Sequence, residues 1–130
     1  MEKALAYYRT SSASGVGEDK DSRGRQEMAV KEYASRHEVE IVGEYYDAAV
    51  RGVDNVWDRQ EFSEMVEYAI SSGIKLILIE NASRFARDLI VQLQGHDFLK
   101  KHGISLIPVD CPTHFTEETP TAVMVRQILG

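Results

Sequence analysis

Apolar and polar positions along this chain alternate between two periods, and the alternation predicts its fold. Lys3 to Tyr8 is a short, largely apolar run of strand length. A polar loop from Ser11 to Gly24 follows, and a helix is predicted from Arg25 to Arg36 with Ala29, Val30, Tyr33 and Ala34 on one side. Val39 to Tyr46 predicts a second strand, and Asp47 to Asp58 a second loop. Phe62, Met65, Val66, Ala69 and Ile70 then recur at helical spacing. Ser72-Gly73 ends that helix, and Ile74 to Ile79 is almost continuously apolar, as in a strand buried on both faces of a parallel sheet. A helix is predicted over Phe85 to His102, with Phe85, Leu89, Leu93 and His96 on one face and Gly103 as its stop. Ile104 to Val109 reads as a fourth strand, and Ala122 to Leu129 as the start of an amphipathic helix.

Strands separated by helices of this size predict right-handed βαβ units. The expected fold class is therefore α/β, in three layers, with a four- to five-stranded, mostly parallel sheet flanked by helices. The 130 residues suit one domain with a genuine core. No apolar stretch approaches a membrane span, and the N-terminus lacks the apolar segment of a secretory signal. A single cysteine, Cys111, excludes an intrachain disulfide and a cysteine-based zinc site, and it fits a cytoplasmic protein. A net charge of −6 argues against a nucleic-acid binder with a broad basic face. A DNA function then requires cations concentrated locally, or a separate DNA-binding segment. Because the last helix has barely begun at Gly130, the chain is expected to be truncated there.

The chemistry is carried by a few residues at strand ends. Arg9 precedes Ser11 by two positions, and Arg84 and Arg87 follow the run ending at Ile79. Guanidiniums are planar donor forks that match phosphate oxygens and stay charged at any working pH. A hydroxyl among them suggests a nucleophile aimed at a phosphodiester. The alternative is that these are ordinary surface arginines. Ligands of open α/β sheets bind beyond the carboxyl ends of the strands. Arg9 and Ser11 follow the first strand, Asp47 and Arg51 the second, and Ser83, Arg84 and Arg87 the third. Three loops would thus deliver these groups to one place.

At these residues the chain resembles the resolvase/invertase family of serine site-specific recombinases, in their N-terminal catalytic domain. Tyr7-Tyr8-Arg9-Thr10-Ser11 is similar to the family's opening Tyr-x-Arg-x-Ser motif, and Gln26 matches the glutamine after its flexible loop. Asp47, Gly52 and Asp58-Arg59 followed by Phe62 resemble the second block. Ser83-Arg84-Phe85-Ala86-Arg87-Asp88 resembles the Asp-Arg-Leu-x-Arg block. The likeness runs from Lys3 to Leu129.

The resemblance implies site-specific DNA recombination, with Ser11 attacking a phosphate and leaving a covalent 5′-phosphoserine bond. It implies Arg9, Arg84, Arg87 and Arg59 as the active-site arginines. Tyr7, Gln26, Asp47, Arg51, Ser83 and Asp88 become supporting or DNA-contacting residues. Neither metal nor ATP is implied. The implied partners are double-stranded DNA and further copies of the protein, as a dimer and a synaptic tetramer. Residues 1–130 alone, without a long dimerisation helix and a DNA-recognition domain, are expected to bind DNA feebly and not to recombine it.

Two positions depart from the family pattern. Ser83 stands where an aspartate is usual, and Arg51 where the Ser-Gly pair has its serine. These departures support the alternative of a non-catalytic interaction module with the recombinase fold. An unrelated flavodoxin-like domain binding a small phosphorylated ligand is the other alternative. The Gly15 and Gly17 loop lacks the lysine-hydroxyl ending of a nucleotide-binding P-loop. Ser12 and Ser14 compete with Ser11 as nucleophile. Gln26 is equally readable as a plain helix residue, and Asp88 as a helix-terminus residue. His37, His96, His102 and His114 read as surface or packing residues, and Trp57 as a residue closing over the core or touching DNA. No general base is assignable.

Overall fold

The computed structural model describes residues 1–11, 22–51, 54–116 and 120–129. The first strand, β1 (Glu2–Arg9), leads to helix α1 (Ser22–Arg36) and strand β2 (Val39–Asp47). A 3-10 turn (Val56–Asp58) precedes helix α2 (Gln60–Ser72) and strand β3 (Leu76–Ile79). Helices α3 (Ala82–Phe85) and α4 (Leu89–Lys101), strand β4 (Ser105–Pro108) and helix α5 (Pro120–Leu129) complete the order.

The sheet has four strands in the order β2-β1-β3-β4, and every neighbouring pair is parallel. Side chains alternate across a strand, so β1 supplies both faces. Leu5 and Tyr7 join Phe62, Met65, Val66 and Ala69 of α2 and Val91 and Leu99 of α4 in one core. Ala4, Ala6 and Tyr8 join Val30 and Ala34 of α1 and Leu76 and Leu78 of β3 in the other. The result is the expected three-layer α/β sandwich. From β1 the chain adds β2 on one side, then crosses to build β3 and β4 on the other. The carboxyl ends of β1 and β3 therefore flank the switch point, where such sheets form their crevice.

Several sequence expectations need correction. Helix α1 begins at Ser22 rather than Arg25, and Ser22 and Gln26 are buried at its start. The helix expected over Phe85 to His102 is two helices. Asn81 caps α3 by accepting from the Arg84 N–H, and Asp88 caps α4 by accepting from Ile90 and Val91. Leu89 is consequently exposed, whereas Phe85, Leu93 and His96 are buried as expected, and α4 also buries Val91, Gln92, Gly95 and Leu99. Ile70, expected on the inner face of α2, is half exposed. Gly103 stops α4 as expected, at φ 72°, with its N–H donating to Lys100 O.

Gly95 is required by packing. A Cβ there would lie 2.3 Å from Phe85 Cζ and 2.7 Å from Cε2. The Phe85 ring is fully buried, with Phe62 at 5.6 Å and Phe115 at 6.3 Å between centroids, so it has nowhere to turn. Gly95→Ala should cost about 1–3 kcal/mol of stability, read as a lower midpoint in denaturant unfolding.

Candidate active site

Arg9, the last residue of β1, has its side chain on the same face as Leu5 and Tyr7 and is 1% exposed. Its guanidinium donates in three directions: Nε to Arg84 O at 2.9 Å, Nη1 to Val50 O at 2.8 Å and Nη2 to Ser83 O at 2.9 Å. One side chain thus ties the loop after β2 and the loop after β3 to the end of β1. Burial lowers its pKa to about 10, assisted by the positive charges of Arg59, Arg87 and Arg84. It stays charged at neutral pH all the same. Arg59, Arg84 and Arg87 thus lie within electrostatic range of the Arg9 guanidinium.

Arg59 is the second buried cation, also 1% exposed. Its Nη2 donates to Asp54 O at 2.9 Å, and its Nη1 donates to Phe85 O and, at 3.4 Å, to the Tyr7 hydroxyl. Its Nε has no partner among the described residues. Tyr7 donates its own proton to Asp47 Oδ2 at 2.9 Å, and burial raises the phenol's pKa well above its usual value. Tyr7 therefore remains a neutral donor, wedged between a buried cation and a buried anion.

Asp47 reveals why α2 starts where it does. Arg59 occupies the N-cap position and gives no side-chain cap. Asp47 supplies one from the end of β2, its Oδ1 accepting from Glu61 N at 3.0 Å and its Oδ2 from Phe62 N at 3.1 Å. A carboxylate at a helix N-terminus satisfies orphan donors and complements the macrodipole. Asp47→Ala should cost about 2–3 kcal/mol in a urea titration, because these charge-assisted bonds lie inside the protein.

Gln26 and Thr10 fix the exit of β1. Thr10 continues the pairing with β2 through Thr10 N to Asp47 O at 3.2 Å. Its hydroxyl meets the Tyr46 hydroxyl at 2.7 Å. On the other edge the ladder to β3 pairs only Leu5 and Ala6. Beyond them the Gln26 carboxamide takes the place of a neighbouring strand. Its Oε1 accepts from Arg9 N at 3.2 Å and its Nε2 donates to Arg9 O at 3.1 Å. Gln26 is fully buried, so it acts by holding backbone. Two residues past this clamp, Ser11 is exposed at the carboxyl edge of the sheet. Ser12, Ser14, Gly15, Gly17 and Gly52 lie outside the described residues.

The loop after β3 brings the remaining candidates. Arg84 is partly buried and pairs through Nε with Glu80 Oε1 at 3.2 Å. Arg87 is exposed between α3 and α4. Ser83 donates its hydroxyl to Asn81 Oδ1 at 2.9 Å, and its carbonyl receives Arg9. Asp88 is a helix cap, which is the plainer of its two sequence readings. Arg51 is exposed and pairs with Asp54 Oδ1 at 3.0 Å.

Sequence reasoning missed Asn81, Glu80 and Gln92. Gln92 had a visible signal, a polar residue on the buried stripe of α4. The histidines pack on rings, His37 on Tyr33, His102 on Phe98, and His96 and His114 on Phe115. His96 is buried, which is the packing one of its two sequence readings. Trp57 does not close over the core: it is 44% exposed and leans on Phe98 at 6.5 Å. Among the described residues, no cluster of three or more His, Cys, Asp or Glu side chains is placed to hold a metal ion, and no helix is long and apolar enough to cross a membrane.

A four-stranded parallel sheet between helical layers, with Arg9 ending a central strand and Arg84 and Arg87 following its neighbour, defines a three-layer α/β domain. Residues 4–130 match the family model of the resolvase N-terminal domain, and the chain belongs to that family. The N-terminal catalytic domain of TP901-1 integrase is similar in structure, at 18% identity and a TM-score of 0.80, over 98% of this chain and 94% of that one. A resolvase-family site-specific recombinase from Streptococcus pneumoniae gives 24% identity and a TM-score of 0.76, over 99% and 86%. The C-terminal catalytic domain of ISC1926 TnpA, an IS607-like serine recombinase, gives 20% and 0.68, over 97% and 76%. No curated protein matches the chain by sequence. The fold is that of a serine recombinase catalytic domain.

Proposed function

We propose that this domain cleaves and rejoins double-stranded DNA at specific sites, with Ser11 as nucleophile. One observation carries the reading. Arg9 stands at the exit of β1, bonded to the loops of both flanking strands and within electrostatic reach of Arg59, Arg84 and Arg87. The exposed hydroxyl of Ser11 follows two residues later.

In this reading the Ser11 Oγ forms a bond to phosphorus while the bond from phosphorus to the 3′-oxygen breaks. The serine loses its proton and the departing 3′-oxygen gains one. The product is a 5′-phosphoserine linkage and a free 3′-hydroxyl. Attack by a 3′-hydroxyl on that linkage reverses the step, so the phosphodiester bond energy is conserved and no ATP is consumed. Charge gathers on the non-bridging oxygens in the transition state, and fixed guanidiniums stabilise it. In this reading Arg84 and Arg87, nearer the surface, meet the phosphate. Arg9 and Arg59 supply positive potential from the floor and hold the loops. Exchange of DNA ends requires several copies, so self-association to a dimer and a synaptic tetramer belongs to the same proposal, as does a cytoplasmic location with access to DNA.

The test is a duplex recombination site nicked so that the released strand diffuses away. The protein should form a denaturant-resistant protein–DNA adduct in the presence of a strong chelator of divalent cations. An adduct that forms only with added magnesium would contradict arginine-based catalysis.

A further inference from the structure

Arg87 sits on the short joint between α3 and α4, and that joint is gripped from below by a residue outside the motifs. Gln92 is 8% exposed. Its Nε2 donates to Ala86 O at 2.7 Å, and its Oε1 meets His114 Nε2 at 3.4 Å. The Ala86 carbonyl and the Arg87 N–H share one rigid peptide plane, so a bond to that oxygen fixes the orientation in which Arg87 leaves the backbone. Asp88 holds the other side of the joint as the α4 cap.

The segment after β4 completes the grip. Cys111 to Thr116 is exposed except for Phe115, which is 4% exposed. The Phe115 ring stacks on His96 at 5.0 Å, takes His114 edge-on at 4.8 Å and meets Phe85 at 6.3 Å. Phe115 thus plugs this segment into the core beside the arginine loop, and His114 reaches Gln92 from it.

We infer that Gln92 is a positioning residue for Arg87, braced by the His114–Phe115 segment. Its effect on DNA cleavage would pass through Arg87, and only that part rests on the recombinase reading.

Gln92→Met keeps the side chain's length and removes both polar contacts. Two measurements test it. In the 130-residue chain, nitrogen-15 spectra should show the Arg87 backbone amide and Nε–H resonances displaced. His114→Ala, at an exposed position, should move them in the same direction, and it serves if Gln92→Met does not fold. In an adduct assay, Gln92→Met should slow single-turnover adduct formation at saturating DNA by about tenfold, with DNA affinity unchanged. In an Arg87→Lys background the same change should cost less than about twofold, because the groups act in series. Unmoved Arg87 resonances, or an equal loss of rate in both backgrounds, would overturn the inference. If the wild type forms no adduct, the recombinase reading fails, and the spectra alone decide the role of Gln92.

Discussion

Ser11→Ala is expected to abolish the covalent protein–DNA adduct completely while leaving folding and site binding unchanged. The side chain is exposed at the mouth of β1, so trimming it should change stability by no more than about 0.5 kcal/mol. The backbone that presents it is held elsewhere, by Gln26 on one edge of Arg9 and by Asp47 and Val50 on Thr10. Loss of the hydroxyl would therefore remove the proposed nucleophile while the backbone around it stays anchored. Gel-shift affinity and thermal midpoint should match the wild type, and the adduct band should vanish. A surviving adduct would reassign the nucleophile, with Ser12 and Ser14 as the nearest hydroxyls.

The second large effect falls on Arg9, and here stability and rate should fail together. Arg9→Lys retains the charge but replaces a planar fork with a single ammonium, which cannot reach three carbonyls in divergent directions. Val50, Ser83 and Arg84 would each risk an unsatisfied carbonyl in a largely buried setting. Each costs about 1–3 kcal/mol when left without a donor. A total loss of about 3 kcal/mol, or about 10 °C in Tm, is the expected result. The rate of adduct formation should fall about 10²- to 10³-fold even below the new melting point, because the loops carrying Arg84 and Arg87 lose their tie to β1. Arg51→Lys is the useful contrast. That side chain is exposed and paired with Asp54, so the same exchange there should leave Tm within about 1 °C.

The two arginines differ in a way that periodicity does not expose. Strands β1 and β3 were legible because Lys3 to Tyr8 and Ile74 to Ile79 are strand-length apolar runs between turn signals, and the structure places strands within a residue or two of both. Helix α2 was legible through Phe62, Met65, Val66 and Ala69, all of which it buries. The approach of Arg9 to Arg84 was legible from the rule that functional groups collect beyond strand carboxyl ends, since those ends of parallel strands share an edge.

What sequence spacing did not disclose is tertiary. Asp47 caps a helix that begins 13 residues later, a pairing created by the sheet and invisible to local capping rules. Arg59 reads as a polar residue before a helix, yet the fold turns it inward onto backbone oxygens. Gln26 reads as a helix residue, yet its carboxamide replaces a strand. The break between α3 and α4 was legible in principle, because Asn81 and Asp88 are both strong N-cap residues. The apolar spacing of Phe85, Leu89 and Leu93 masked it by mimicking one continuous helix.

Locating the covalent bond itself is the decisive experiment. The adduct should be trapped, digested with protease and nuclease, and its modified peptide sequenced by tandem mass spectrometry. A nucleotide joined through its 5′-phosphate to the oxygen of Ser11 is the predicted product. Attachment at any other side chain, or through a 3′-phosphate, would contradict the account.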